Sequence, residues 1–336
     1  MWDMLEQAMG WAAPALDQAA RFLLTRPSGE TPLAAMLLVP FAALGYYVLR
    51  KPRQMRRFRF RRMARFVLSM RYLKHRSHVL DVMLMAGNIG LFALIVGEAT
   101  LSMTGVAALV YGGLTQVFGA VDGPAYNSIL VGVTWAVALF LAYEFAYWID
   151  HYLSHNISVL WEFHKVHHTA EVLSPLTNFR VHPVDSLVFM NIIALCNGAT
   201  AGVLHWLFGA GPVKLEIFNH TTMIALAVTV FAQLQHTHIW IAFTGVWGRL
   251  ILSPAHHQIH HSIDTRHHNK NLGNLIAVFD WAFGTLYVPS KKRQKLVFGL
   301  SGAGAPAHDL HEGLVQPFSH AAQQIVPQPA AGRSPA

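Results

Sequence analysis

Apolar residues in this chain gather in long unbroken stretches rather than in the alternating or 3.6-residue stripes of a water-soluble domain. Five stretches approach the roughly 20 residues a helix needs to cross a bilayer: Pro32 to Leu49, about Val79 to Leu101, Ile129 to Ile149, about Ser186 to Phe208, and Val213 to Leu234. The last two are separated only by Gly209 to Pro212, a turn signal that predicts a tight helical hairpin. A weaker apolar piece, Val106 to Phe118, lies in a Gly-rich connector, and the pattern leaves open whether it enters the membrane. Met1 to Pro27 starts with Asp3 and Glu6 instead of a positive region, so it reads as an interfacial helix and not as a cleaved signal. From Ser301 the chain turns rich in Gly, Ala, Pro and Gln, the composition of a disordered tail.

These elements predict an all-α integral membrane protein with about four to five transmembrane helices. The expected divisions are an N-terminal helix, first span and basic segment over 1–77, membrane helices over 78–142, a histidine-bearing domain over 143–290, and the tail over 301–336.

Composition agrees with the pattern. Hydrophobic residues make up 53% of the 336 and charged residues only 12%, about half the charge of an average soluble domain. The net charge of +8 concentrates in the run from Arg50 to Arg76. Beside apolar spans, such a block marks a cytoplasmic, lipid-facing segment and not a nucleic-acid surface. A single cysteine, Cys196, excludes disulfide frameworks, thiolate zinc sites and iron–sulfur clusters.

Of the 21 histidines, 16 fall between His151 and His268. With Arg50 to Arg76 in the cytoplasm, the second and third spans return the chain to that side at Asp150, and the fourth and fifth return it at Gln235. Every histidine cluster then lies on the cytoplasmic side, facing the inside of the inner membrane in a bacterial cell.

The clusters have ligand spacing. His151 and His155 form H-x-x-x-H; His164, His167 and His168 form H-x-x-H-H in "HKVHH"; His257, His260 and His261 repeat that spacing in "HHQIHH". Offsets of three and four place imidazoles on one helical face. Eight such residues exceed the four that close a structural zinc site, so two metals is the economical reading. Imidazole serves zinc, copper, iron and nickel alike and does not name the metal. Flanking candidates are His182, His236, His238, His267 and His268, while His75, His78, His308, His311 and His320 read as surface residues, and His256 and His268, each adjacent to a better-placed histidine, as pointing away from the site. No Glu-x-x-His, H-E-x-x-H, G-x-S-x-G or G-x-G-x-x-G occurs, which disfavours carboxylate di-iron bundles, hydrolysis, and nucleotide or flavin binding. Electrons, if used, come from another protein.

From Tyr143 to Pro289 the chain resembles the fatty acid hydroxylase and sterol desaturase superfamily, through these boxes, "RVHP" around His182, "SPAHHQIHHS", and "NKNLGNLIAVFDWAFGTLYVP". The resemblance implies a four-helix membrane scaffold with a cytosolic helical cap, and a centre of two iron ions using O2, with zinc an alternative occupant after purification. It implies as metal ligands His151, His155, His164, His167, His168, His257, His260 and His261, with His236 and His267 in addition. His182 is implied as ligand or supporting residue. The family's H-x-x-x-H between the two H-x-x-H-H boxes is replaced here by His236 and His238 in "HTH", leaving open which of the two binds. Asn271, Gly273 and Asp280 match recurring positions after the last box, where Asn271 and Asp280 are implied to hold imidazole N–H groups, with helix capping the alternative for Asn271 and Gly273. The implied activity is hydroxylation of a lipid, with lipid desaturation as the alternative, and the implied partners are a lipid substrate, the membrane and a separate electron-transfer protein, with no nucleic acid. A non-catalytic metal-binding or transport protein is the competing class. Phe145, Trp148, Trp161 and Phe163 are candidate lining for a lipid tail, against the plainer reading of interfacial packing.

Overall fold

The computed structural model describes residues 74–91, 99–121, 129–208, 234–300 and 308–325. The expected first and fifth spans, the helix within 1–27 and nearly all of the basic block lie outside these residues.

Among the described residues the chain is helical, with two isolated β-bridges and no strand. We number the helices α1 (Arg76–Leu91), α2 (Met103–Phe118), α3 (Ile129–Asn156), α4 (Ser158–His168), α5 (Pro183–Phe208), α6 (Gly245–Leu250), α7 (Pro254–His260), α8 (Val278–Ala282), α9 (Leu310–Leu314) and α10 (Gln316–Ile325). Two of them are long and apolar enough to cross a membrane, Leu130–Asn156 within α3 and α5. Both match expected spans. The apolar stretch within α3 ends near Ile149, but the helix runs on for two further turns and carries its histidines with it.

The weak apolar piece forms α2, which packs along α5. Small residues make this possible: a Cβ on Gly198 would stand 2.8 Å from the Met103 carbonyl oxygen, and one on Gly202 would stand 2.6 Å from that of Ala107. Glycines four apart let helix backbones approach where lipid provides no hydrophobic drive. Asn191 holds the start of α2 by accepting from Leu101 N (2.9 Å), and Trp206 Nε1 holds its end by donating to the Gly119 carbonyl (2.9 Å). At 16 residues α2 is about 24 Å long, short of a full crossing. Ala107, Val131, Trp135, Ala201 and Leu204 fill the core between α2, α3 and α5.

A buried ion pair ties the remainder together. Arg180 and Asp81 are both fully buried, 2.8 Å apart. The same guanidinium donates to the Ser77 carbonyl and Thr169 Oγ1, and one of its nitrogens stands 2.9 Å from His308 Nδ1. One side chain thus joins α1, the loop after α4, and the C-terminal segment.

That segment departs from the expected tail. Residues 308–325 form α9 and α10, and α10 packs on α4. The strong amphipathicity of α10 is hidden in the sequence by the Gly, Ala, Pro and Gln around it. His308 and His78, read as surface residues, are buried; His78 Nδ1 meets Ser174 Oγ at 3.3 Å.

Candidate metal centre

Four pieces of chain converge at the end of α3. His151 and His155 occupy its last turns. α4 starts just after Ile157 and supplies His164, His167 and His168. A turn after Leu234 brings His236, and α7 with its cap residue brings His257, His260 and His261. The start of α7 is fixed by Pro254 in its first turn and by a capping box between Ser253 and His256. His256 spends its other nitrogen on the Gly248 carbonyl (3.0 Å), so it points away as expected.

Nine of the ten expected ligands form two adjoining groups, His151, His155, His164, His168 and His260 in one, and His167, His236, His257 and His261 in the other. Within each group the ligand atoms lie within 4.8 Å of one another. The groups touch through His168 and His261, whose rings stack at 4.6 Å. Each H-x-x-H-H box divides between them. The residues four apart, His164 with His168 and His257 with His261, serve one group, and the third histidine, His167 or His260, serves the other.

Hydrogen bonds set the tautomers. Nδ1 of His151 lies 2.7 Å from the Leu272 carbonyl oxygen, that of His260 3.0 Å from Lys270 O, that of His167 3.3 Å from Arg180 O, and that of His164 3.2 Å from Asp185 Oδ2. These oxygens accept, so each ring donates through Nδ1, which leaves Nε2 as the nitrogen able to face a metal. In the first group, Nε2 of all five histidines is buried without a hydrogen-bond partner among the described residues. Each such atom costs about 1–3 kcal/mol if left unmet; a cation at the convergence removes the cost. In the second group, His236 Nε2 lies 3.1 Å from His167 Nε2 and 2.8 Å from His257 Nε2, which is 3.1 Å from His261 Nε2. Nitrogens each about 2.0–2.1 Å from one ion keep spacings of this order.

Burial, and then the neighbouring rings, hold His167, His168, His236, His257, His260 and His261 well below the ordinary histidine range. These six are therefore neutral at pH 7, the form that ligates a metal. No carboxylate enters either group; the donor set suits a divalent transition metal.

Several expectations are corrected. His267 joins neither group: it packs edge-on against Tyr287, ring centroids 5.0 Å apart, on the wall of an outer cleft of about 510 Å³. His182 has both ring nitrogens engaged, Nδ1 accepting from Val184 N and Nε2 donating to Leu314 O. It supports the junction of α5 with α9 and does not face the centre. Of the HTH pair, His236 is the residue in the second group, while burial pushes His238 down to about 4 outside both groups. Asn271 holds no imidazole; it sits at φ 58° and brackets Tyr287, donating to its carbonyl and accepting from its N–H. Asp280 acts through the backbone, accepting from Leu272 N and Gly273 N, each at 2.8 Å.

Sequence reasoning missed Glu144, Arg180 and Asp185. Glu144 is buried within α3 and accepts from Asn274 Nδ2, Leu275 N and Ile276 N, pinning the loop that holds His151. Its signal was legible, since a lone carboxylate inside an apolar span is functional by default. Of the candidate lining aromatics, Trp161 borders the first group, 5.0 Å from His155 and 5.4 Å from His168. Phe163 packs on His182 and Phe318 instead.

Residues 136–285 match the family model described as fatty acid hydroxylase. This segment is similar to the fatty acid hydroxylase family. All nine grouped histidines fall inside the matched segment, whereas α1, α2, α9 and α10 lie outside it. The chain is 25% identical over 169 residues to alkylglycerol monooxygenase of Homo sapiens, covering 50% of this chain and 33% of that one. It is 29% identical over 177 residues to ornithine lipid hydroxylase OlsE of Rhizobium tropici (52% and 48% covered). It is also 25% identical over 186 residues to a putative Δ(7)-sterol-C5(6)-desaturase 2 of Arabidopsis thaliana (53% and 56%). The chain thus spans between a third and somewhat over half the length of these relatives. No solved structure gives a significant match.

Proposed function

We propose that the chain is an integral-membrane lipid oxygenase that holds two iron ions in its two histidine groups and hydroxylates an unactivated C–H bond with O2. The observation that carries this reading is the convergence of nine imidazoles, five of them with buried, unpartnered Nε2 atoms, beside a helix apolar enough to span a bilayer. Bound iron would supply the O2-dependent redox chemistry, which no side chain of the centre has. Zinc, which the same donors suit, would leave the protein inactive.

The chain's own residues do the positioning. Asp185 and the carbonyls of Leu272, Lys270 and Arg180 hold ring orientations, and supporting partners of this kind tune metal sites. Trp161 walls the first group from outside. Tyr147, one turn before His151 on α3, meets both His151 (5.7 Å) and Phe189 of α5 (5.6 Å). A lipid tail rising between α3 and α5 would meet this aromatic pair directly below His151.

In the hydroxylation reading one substrate C–H becomes C–OH and the second oxygen atom leaves as water. Two electrons come from a separate electron-transfer protein and two protons from solvent. The names of two relatives, a monooxygenase and a lipid hydroxylase, favour this reading and a fatty acyl, sterol-like or ether lipid as substrate. Desaturation, favoured by the third name, is the second reading. The basic run Arg50 to Arg76 supports a cytoplasmic placement of the centre.

Elemental analysis of detergent-purified protein, with mass spectrometry of lipids from cells with and without the gene, tests this. We expect two irons per chain and a lipid heavier by one oxygen. A lipid lighter by two hydrogens moves the reaction to desaturation, and metal without any lipid change favours a binding protein.

A further inference from the structure

The outward side of α3 carries an apolar line, Leu130, Val133, Val137 and Leu141, all exposed and spaced by three and four residues. Continued along the helix, the line reaches Phe145 and Trp148, and there it is taken over by α8. Phe279 packs on Phe145 with ring centroids 5.4 Å apart, and Phe283 stacks on Trp148 at 4.3 Å. α8 and its C-cap residue then present large apolar side chains outward, Trp281 (68% exposed) and Val278 from the helix and Phe283 (57%) from the cap.

α6 lies beside it. Ile251 and Ile276 pair as a β-bridge, and Ala277 N donates to the Leu250 carbonyl, so the end of α6 and the start of α8 are held together. α6 exposes Val246 (70%), Trp247 (66%) and Leu250 on one face. Charge at this edge is positive: Arg249 of α6 is exposed, and so are Lys291, Lys292 and Arg293, just beyond Val288, which packs under Gly248. Neither short helix carries an exposed acid.

We infer that α6 and α8 form an in-plane anchor in the membrane–water interface, with Trp247 and Trp281 at headgroup depth and Arg249 and Lys291 to Arg293 against anionic lipid. Tryptophan beside an apolar face and a basic rim is the chemistry of that layer. Helices of five or six residues cannot cross a bilayer, but they can lie on one. The occupant is lipid because the face prolongs the outward line of α3 without a break; the inference therefore rests on α3 being a span. The anchor also reaches the metal centre. Asp280, between the packed Phe279 and the exposed Trp281, is fully buried and accepts from Leu272 N, and the Leu272 carbonyl faces His151.

Site-directed spin labelling of the full chain in phosphatidylcholine–phosphatidylglycerol vesicles tests the anchor. In a Cys196→Ser background, nitroxides are placed singly at Val246→Cys, Trp247→Cys, Val278→Cys and Trp281→Cys, with Val137→Cys and Lys292→Cys as references. Collision with O2 should exceed collision with a water-soluble nickel chelate severalfold at the four anchor positions, at shallower depth than Val137, with the reverse at Lys292. Nickel access at the four positions, with Val137 still buried in lipid, overturns the anchor and leaves the membrane reading standing. Shielding from both reagents means that a protein covers this face, and also overturns it. Nickel access at Val137 removes the span itself.

Discussion

Asp280 and His151 meet at the two ends of one residue: the carboxylate accepts from the N–H of Leu272 at 2.8 Å, and the imidazole Nδ1 lies 2.7 Å from the carbonyl oxygen of that same residue. Neither touches the other, yet the first sets the peptide that orients the second. Asp280 also accepts from Gly273 N and Thr285 Oγ1, which leaves it no freedom to relax. Asp280→Ala strands two buried N–H groups at about 1–3 kcal/mol each. We expect a lower melting temperature and a roughly 10–100-fold weaker hold on metal, read by thermal unfolding and by metal retention under chelator challenge. Unchanged retention would show that Leu272 needs no help to orient His151.

The division of the histidine boxes separates the two sites experimentally. His155→Ala removes a donor from the first group alone, and His236→Ala removes one from the second. Each variant is expected to fall from two metal ions per chain toward one, with lipid product at background in both. Elemental analysis giving the same loss of both ions from either variant would mean that the groups fill only together.

Arg180 and Asp81 form a fully buried ion pair with 2.8 Å between them. Removing one partner of a buried ion pair leaves the other uncompensated, at a cost of about 3–5 kcal/mol. Arg180→Met should therefore lower the melting temperature markedly, and Arg180→Met combined with Asp81→Leu should recover part of the loss. A double variant no better than the single one would show that the arginine acts through Ser77, Thr169 and His308 instead.

Stability of the metal-free protein should depend on pH in one direction. Burial holds His167, His168, His236, His257, His260 and His261 well below 6.5, so in the folded chain they refuse protons that the unfolded chain accepts. With more protons bound by the unfolded state, stability falls as pH drops through about 6.5, by up to about 1.4 kcal/mol per histidine per pH unit. Melting temperatures of chelator-treated protein at pH 8 and pH 5.5 check the sign; a higher value at pH 5.5 would contradict it.

The chemistry of the centre was legible because helical spacing of histidines is local information. The nine histidines that group together were candidates from this spacing and from family likeness, and the two long apolar helices were read from the unbroken apolar stretches. What spacing does not carry is the partner across the fold. His164, His167 and His168 share a helix face, but only the approach of α3, α7 and His236 divides them between two groups. His267 follows its box closely, yet the 3-10 turn after Asp264 swings it to Tyr287. Asn271 resembles a residue that supports ligands, but its positive φ shows a staple for the segment ending near Tyr287. Arg180, Asp81 and the C-terminal helices belong together through contacts about a hundred residues apart, which no local pattern encodes.

Because each H-x-x-H-H box feeds both groups from a single rigid turn, the helix itself acts as the ruler between the two histidine groups. Side chains three and four residues apart keep a separation that only unwinding can alter, and α4 and α7 each contribute to both groups in this way. Neither pocket can widen or drift without dragging its neighbour. A lipid pressing against one group would meet the stiffness of both.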